Sequence, residues 1–199
     1  GSCLILITPD SERTMCTFLG IAGKINDTDI DEKYIKNSDL IFLEGYLWDE
    51  GEPKKAFDKA IKFSKKTVMS LSDLFCVERH KSHFLDLVKN KLDITFANEQ
   101  EITSLIDAKS FEEVISFSKK IKKKIVITRG ANGAVSVNGD NVEECEVKKN
   151  INIKDLTGAG DLFAAGYLHG IIKNLSEKEC LIKGTELSEK IIQKIGARI

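Results

Sequence analysis

Two rhythms alternate along the chain. Short apolar runs, "CLILIT" (3–8), "DLIFLEG" (39–45), "TVMSLS" (67–72), "DITFAN" (93–98) and "KIVITRG" (124–130), are each bounded by turn residues. Such runs predict strands buried on both faces. Between them, "EPKKAFDKAIKFSKK" and "SFEEVISFSKKIKKK" repeat apolar residues at helical spacing and carry Lys and Glu elsewhere. Strand and helix in alternation predict an α/β fold, an open, mostly parallel sheet with helices on both faces. Ligands in such sheets sit at the carboxyl ends of the strands. "AVSVNGDNVEECEVK" (134–148) instead alternates apolar and polar residues around Asn138-Gly139-Asp140-Asn141, which predicts an antiparallel hairpin and hence a mixed sheet.

Composition narrows the picture. A chain of 199 residues, 42% hydrophobic, suffices for a core and falls within the size of one domain, and no linker, repeat or low-complexity tract divides it. Pro9 and Pro53 are predicted in turns. Thirty basic against thirty-one acidic residues leave a net charge of -1, which argues against a general nucleic-acid binder and for a small-molecule partner. Five cysteines without a Cys-x-x-Cys pair suit the reducing cytoplasm. No apolar stretch approaches the roughly 20 residues that span a bilayer, so no membrane partner is expected. Gly1-Ser2 reads as a cloning remnant, and a strand that begins at Cys3 without an initiator Met predicts a longer natural chain.

Candidate chemistry lies at three strand exits. In "DLTGAGDLFAAGYLHG" (155–170), Gly158-Ala159-Gly160 permit a tight turn ahead of a helix-like run. Amides at a helix start are unpaired and partly positive, so they suit an oxyanion or phosphate. Asp161 falls in the first helical turn, placed to accept a proton from an attacking hydroxyl. The plain alternative is an ordinary turn with a favourable acid at the helix start. "TRGANG" (128–133) follows one predicted strand and "NEQE" (98–101) another; their plain alternatives are a hairpin turn and a capping Glu. Three such exits on one sheet edge favour a shared ligand crevice.

Other residues carry weaker signals. Arg13 is a candidate for gripping substrate or phosphate, against a surface ion pair with Glu12 or Asp10. Cys76, His80 and His83 lack a fourth zinc ligand. "KKIKKK" (119–124) is either a contact for an acidic partner or a solvated helix end. Gly166 and Gly170 predict close helix packing.

"DLTGAGD" resembles the second signature of the ribokinase-like, phosphofructokinase-B type carbohydrate kinase family, written Asp-Thr-x-Gly-Ala-Gly-Asp. Asn98-x-x-Glu101 and Thr128-x-Gly130-x-x-Gly133 resemble its other ATP-side elements in order and spacing, so the likeness covers the whole chain. "TPDSERTM", "LEGYLWD", "SDLFCVERH" and "FANEQEI" are most similar to its bacterial adenosine-kinase-like branch. Leu156 departs from the usual Thr and leaves Thr157 as the hydroxyl.

The resemblance implies a three-layer α/β/α ribokinase-like fold. Residues 1–199 would be the C-terminal, ATP-side portion of one such domain, with residues 1–20 as lid or lid-adjacent strands and with the N-terminal strands and most of the lid missing. It implies a kinase that uses ATP and magnesium to phosphorylate a hydroxymethyl group of adenosine, a related ribosyl compound or a simple sugar, and a homodimer. A catalytically silent nucleotide-binding fragment is the alternative. Asp161 would be the general base, with the Gly158, Ala159, Gly160 and Asp161 amides as anion hole. Asn98, Glu101, Thr128, Arg129, Gly130, Gly133 and Thr157 would serve the nucleotide, Glu101 reaching magnesium through water. Asp155 would help hold a monovalent cation, K+.

Overall fold

The computed structural model describes residues 1–48 and 52–199. Its strands are β1 (Ser2–Ile7), β2 (Arg13–Phe18), β3 (Ile41–Glu44), β4 (Thr67–Ser70), β5 (Ile94–Asn98), β6 (Lys124–Thr128), β7 (Ala134–Asn138) and β8 (Asn141–Cys145). Among the described residues the α-helices are α1 (Glu32–Asn37), α2 (Pro53–Phe63), α3 (Leu74–Asp86), α4 (Glu99–Ile106), α5 (Phe111–Ile121), α6 (Ala159–Ile172) and α7 (Glu177–Ile191). Strands β3 to β8 hydrogen-bond in chain order as one six-stranded sheet, and β3–β4 and β4–β5 pair in parallel. Two residues join β7 to β8, a connection only an antiparallel pair can close, and Gly139 leads that turn at φ +59°. The sheet is therefore mixed and mostly parallel, as the apolar pattern predicts.

Pro53 departs from expectation. It opens α2 at the first helical position, where its missing N–H would have had no partner and its fixed φ suits the helix. α1, α3, α4, α5 and α7 are capped by side chains: Asp73, for example, accepts from the Phe75 amide (2.7 Å) and Ser176 from the Glu179 amide (3.4 Å).

The backbone forms two compact units, one of Leu19–Ile127 with Val137–Asn141, the other of Ser2–Phe18, Thr128–Ser136 and Val142–Ile199. In the first, β4, β5 and β6 bury Met69, Ala97, Ile125 and Ile127 in one cluster with Phe84, Leu105 and Val114 from α3, α4 and α5. Trp48 meets the Phe57 and Phe84 rings edge-on at 5.1 and 6.0 Å between centroids. Cys76 is buried, His83 packs against Trp48 and His80 against Phe84.

In the second unit, three glycines let α6 and α7 approach. A Cβ on Gly166 would stand 2.5 Å from the Lys183 carbonyl oxygen, one on Gly184 2.8 Å from that of Phe163, and one on Gly170 2.8 Å from Cys180 Sγ. Tyr167 of α6 is fully buried, and its hydroxyl donates to Glu177, which also accepts from Ser136 Oγ (2.7 Å).

β1 contradicts its expected burial. Among the described residues it pairs with β2 alone, antiparallel from Ser2↔Phe18 to Ile7↔Arg13, and both strands are largely exposed, with Leu4 at 62% and Phe18 at 70%. An apolar run records a preference for burial, but the partner that satisfies it must come from elsewhere in the structure.

Gly166→Ala is expected to destabilise the protein by about 1–3 kcal/mol, because the new methyl meets backbone that cannot yield. Gly160→Ala, whose Cβ meets nothing within 4 Å, should stay within about 0.5 kcal/mol of the parent. Urea unfolding of the two variants makes the comparison.

Candidate active site

A buried carboxylate shapes the glycine loop. Asp155 accepts the Thr157 amide on Oδ1 (2.8 Å) and the Gly196 amide on Oδ2 (2.8 Å), so one side chain ties the loop ahead of α6 to the segment beyond α7. The Lys154 and Asp155 amides reinforce this by donating to the Ile192 carbonyl at 2.8 and 3.3 Å. Burial pushes the Asp155 carboxyl up, but the Thr157 side chain, the Gly196 and Thr157 amides and the Arg13 charge together hold it below the usual carboxylate range. Asp155 is therefore a structural anion at neutral pH.

The next residue but two makes the turn. Gly158 adopts φ +81° as N-cap of α6, and a Cβ there would stand 3.2 Å from both Cα and Cβ of Ala197. Positive φ and close approach both require glycine. The Ala159 amide turns back onto the Leu156 carbonyl (3.2 Å). In the four-amide anion hole that the resemblance implies, this amide would turn to the phosphate instead. The Gly160 and Asp161 amides have no acceptor among the described residues, and both residues are exposed. Unpaired amides, the positive end of a fourteen-residue helix and a solvent-facing carboxylate thus share one helical turn. Thr157 is not presented with them: its hydroxyl is buried and lacks a hydrogen bond of good geometry.

The β6 exit is a second turn built on glycines. Gly130 has φ +56° and Gly133 φ +83°, and the Arg129 amide donates to the Gly133 carbonyl (2.8 Å) to close the loop. A Cβ on Gly133 would stand 2.0 Å from the Cys145 carbonyl oxygen, so β8 fixes that position. Thr128 and Arg129 are half-buried and Gly130 is exposed. Arg13, on β2, is exposed and acts electrostatically on Asp155, a neighbour its local sequence does not suggest.

Asn98 and Glu101 lie in the first unit and form a complete capping box at the start of α4. Asn98 Oδ1 accepts the Glu101 amide (2.8 Å), while Glu101 accepts the Asn98 amide (2.9 Å) and Nδ2 (2.7 Å). Asn98 is exposed and Glu101 is buried. Burial pushes the Glu101 carboxyl up to about 7; the Asn98 amide pulls it down and the Asp73 charge adds to the rise. The capping role read as the plain alternative is present in full. Gly196 and Ala197 are site-supporting residues the sequence does not announce, since "IGARI" has neither periodicity nor a recognisable turn pair.

Because the folded carboxyl of Glu101 holds its proton above the unfolded value, the native state binds more protons between pH 4.5 and about 7. Stability is therefore lost as pH rises through that window, by up to about 3 kcal/mol from this group. Glu101→Gln should flatten the pH dependence of the urea midpoint between pH 5 and 8, and a slope unchanged in the variant would exclude this role.

The chain superimposes on adenosine kinase from Sinorhizobium meliloti with a TM-score of 0.95 at 34% identity, covering 99% of this chain and 62% of that one. Ribokinase from Thermotoga maritima shares the fold at 17% identity, with a TM-score of 0.76 over 98% of this chain and 64% of that one. An uncharacterized sugar kinase from Archaeoglobus fulgidus is 28% identical over 202 residues, 100% of this chain and 78% of the relative. The chain thus spans about three fifths of the length of these solved structures. The model of the pfkB family of carbohydrate kinases matches residues 1–199, and the chain belongs to that family.

Proposed function

We propose that this chain is the C-terminal, ATP-side part of a kinase that moves the terminal phosphate of ATP to a hydroxymethyl group of adenosine or a related ribosyl compound. The observation that carries this reading is the exposed Asp161 beside the acceptorless amides of Gly160 and Asp161, on a loop held by Asp155. Asp161 takes the proton of the attacking hydroxyl, and the amides receive the negative charge of the transferring phosphoryl group. A loose phosphoryl-transfer transition state asks the protein mainly for position and charge stabilisation, which a rigid turn at a helix start supplies. Thr128, Arg129, Gly130 and Gly133 line the nucleotide phosphates in this reading. Residues 1–20, which comprise the β1–β2 hairpin together with Leu19 and Gly20, serve as part of a lid.

Magnesium neutralises nucleotide phosphate charge when bound. Asn98 and Glu101 would act on it only through water, because both Glu101 oxygens already accept from Asn98 and the carboxyl is buried. In this reading Asp155 would help hold a monovalent cation such as potassium through the loop it clamps, with the buried Thr157 hydroxyl, which lacks a hydrogen bond of good geometry, as one oxygen available to it.

The adenosine assignment is supported by the likeness to the Sinorhizobium meliloti enzyme. The Archaeoglobus fulgidus relative supports sugar as the second acceptor class. An acceptor screen by ATP consumption, with adenosine, cytidine, ribose and fructose, on this chain and on a full-length parent, separates these readings from a silent nucleotide-binding fragment. Asp161→Asn is expected to lower turnover about 10²–10⁴-fold and to leave nucleotide affinity within about twofold. Normal turnover in that variant would remove Asp161 from the mechanism.

A further inference from the structure

Asparagine precedes glycine twice in this chain, at Asn132-Gly133 and at Asn138-Gly139. The pair has a chemistry of its own. The side-chain carbonyl carbon of an asparagine can close a five-membered ring with the next backbone nitrogen, and a glycine there puts no side chain in the way. By sequence the two pairs should react alike. The fold treats them differently.

Asn132-Gly133 is tied down. The Asn132 amide donates to the Arg129 carbonyl (3.0 Å), the Gly133 amide to that of Gly130 (3.1 Å), and the Gly133 carbonyl accepts the Arg129 amide (2.8 Å). Gly133 is buried, and the Cys145 carbonyl oxygen would stand 2.0 Å from a Cβ placed on it. To attack the Asn132 side chain, the Gly133 nitrogen must give up its hydrogen bond in a place where water cannot replace the partner, and must move where the chain leaves no room.

Asn138-Gly139 is open. Asn138 ends β7 and is exposed, and Gly139 is the first of the two residues that turn into β8. The Gly139 amide has no acceptor among the described residues, and a Cβ there would meet nothing within 4 Å. Ring closure requires Asn138 to leave the extended backbone of a strand end, and β8, its hairpin partner, is the outermost strand of the six. Such ends open locally at small free energy.

We propose that Asn138 is a site of spontaneous deamidation and that the fold protects the identical pair at Asn132. The Gly139 nitrogen yields its proton to hydroxide and attacks Asn138 Cγ. As the N–Cγ bond forms, the Cγ–Nδ2 bond breaks and the side-chain nitrogen leaves as ammonia, its added proton supplied by water. Water then opens the cyclic imide at either carbonyl, which leaves aspartate or isoaspartate. The sum is amide plus water to carboxylate plus ammonium, with no oxidant or reductant. One carboxylate in place of a neutral amide takes the net charge from -1 to -2. The isoaspartate form also routes the main chain through an extra methylene, so a two-residue turn no longer matches the register of its strands.

Trypsin releases residues 130–148 as one peptide that holds both pairs, together with Asn141, whose following Val142 hinders the ring and makes it an internal control. The folded protein is held in mildly alkaline buffer at physiological temperature, and digests are compared with a zero-time sample by tandem mass spectrometry. Asn138 is expected to convert at least about tenfold faster than Asn132, the margin set by a buried amide stripped of its hydrogen bond. Both aspartate and isoaspartate should form. In urea, where the protecting contacts are gone, the two asparagines should convert at rates within about twofold of each other. Asn138→Gln should melt like the parent and show no conversion at that position. Equal rates at Asn132 and Asn138 in the folded protein, no conversion of folded Asn138 within the time that converts it in urea, or aspartate as the sole product would each overturn the inference.

Discussion

One buried carboxylate sets the geometry on which the candidate chemistry depends. Burial pushes the Asp155 carboxyl up, and it stays an anion because the Thr157 side chain, two backbone amides from opposite ends of the second unit's helical hairpin and the Arg13 charge together outweigh that push. Removing those amides would leave an unpaired buried charge, which costs several kcal/mol, so loop and tail are held as a pair. From that clamp come the left-handed turn at Gly158, the close approach of Ala197 and the start of α6 at Ala159. The free amides of Gly160 and Asp161 face outward because the residues before them are tied down.

Asp155, Glu101 and Asp161 show how one functional group is put to different uses by its surroundings. Asp155 is buried with amide donors on both oxygens and is stabilised as an anion. Glu101 is buried with Asn98 as its donor and Asp73 as a repelling neighbour, and is held near the balance between its two forms. Asp161 is exposed in the first turn of a helix, open to solvent and so to a substrate. Sequence spacing places all three, and burial separates their roles.

Much of the architecture is legible in the chain because it rests on short-range chemistry. The runs ending at Ser70, Asn98 and Thr128 are mostly apolar and mostly buried, as central strands covered on both faces are, and the Asn138-Gly139 turn declares its hairpin. The capping box at Asn98 and Glu101 and the left-handed turns at the glycines 130, 133 and 158 are legible for the same reason, although the Cys145 and Ala197 contacts that also require glycine at 133 and 158 are not. The exposure of β1 is not, because a strand's burial belongs to whatever packs on it. Nor is the partnership of Asp155 with Gly196: the two are 41 residues apart, and nothing in "IGARI" marks it. The engagement of the Ala159 amide by Leu156 likewise depends on how sharply the turn closes, a matter of ångströms that a Gly-Ala-Gly pattern leaves open.

That 41-residue separation also orders events in time. During synthesis the glycine turn leaves the ribosome well before Ile192 and Gly196, and until they emerge, Asp155 has only Thr157 to bind. Non-local contacts of this kind form late, after the loop-closure entropy between their ends has been met. A nascent chain can therefore carry the phosphate-facing loop, with all its residues present, while the loop still lacks its shape.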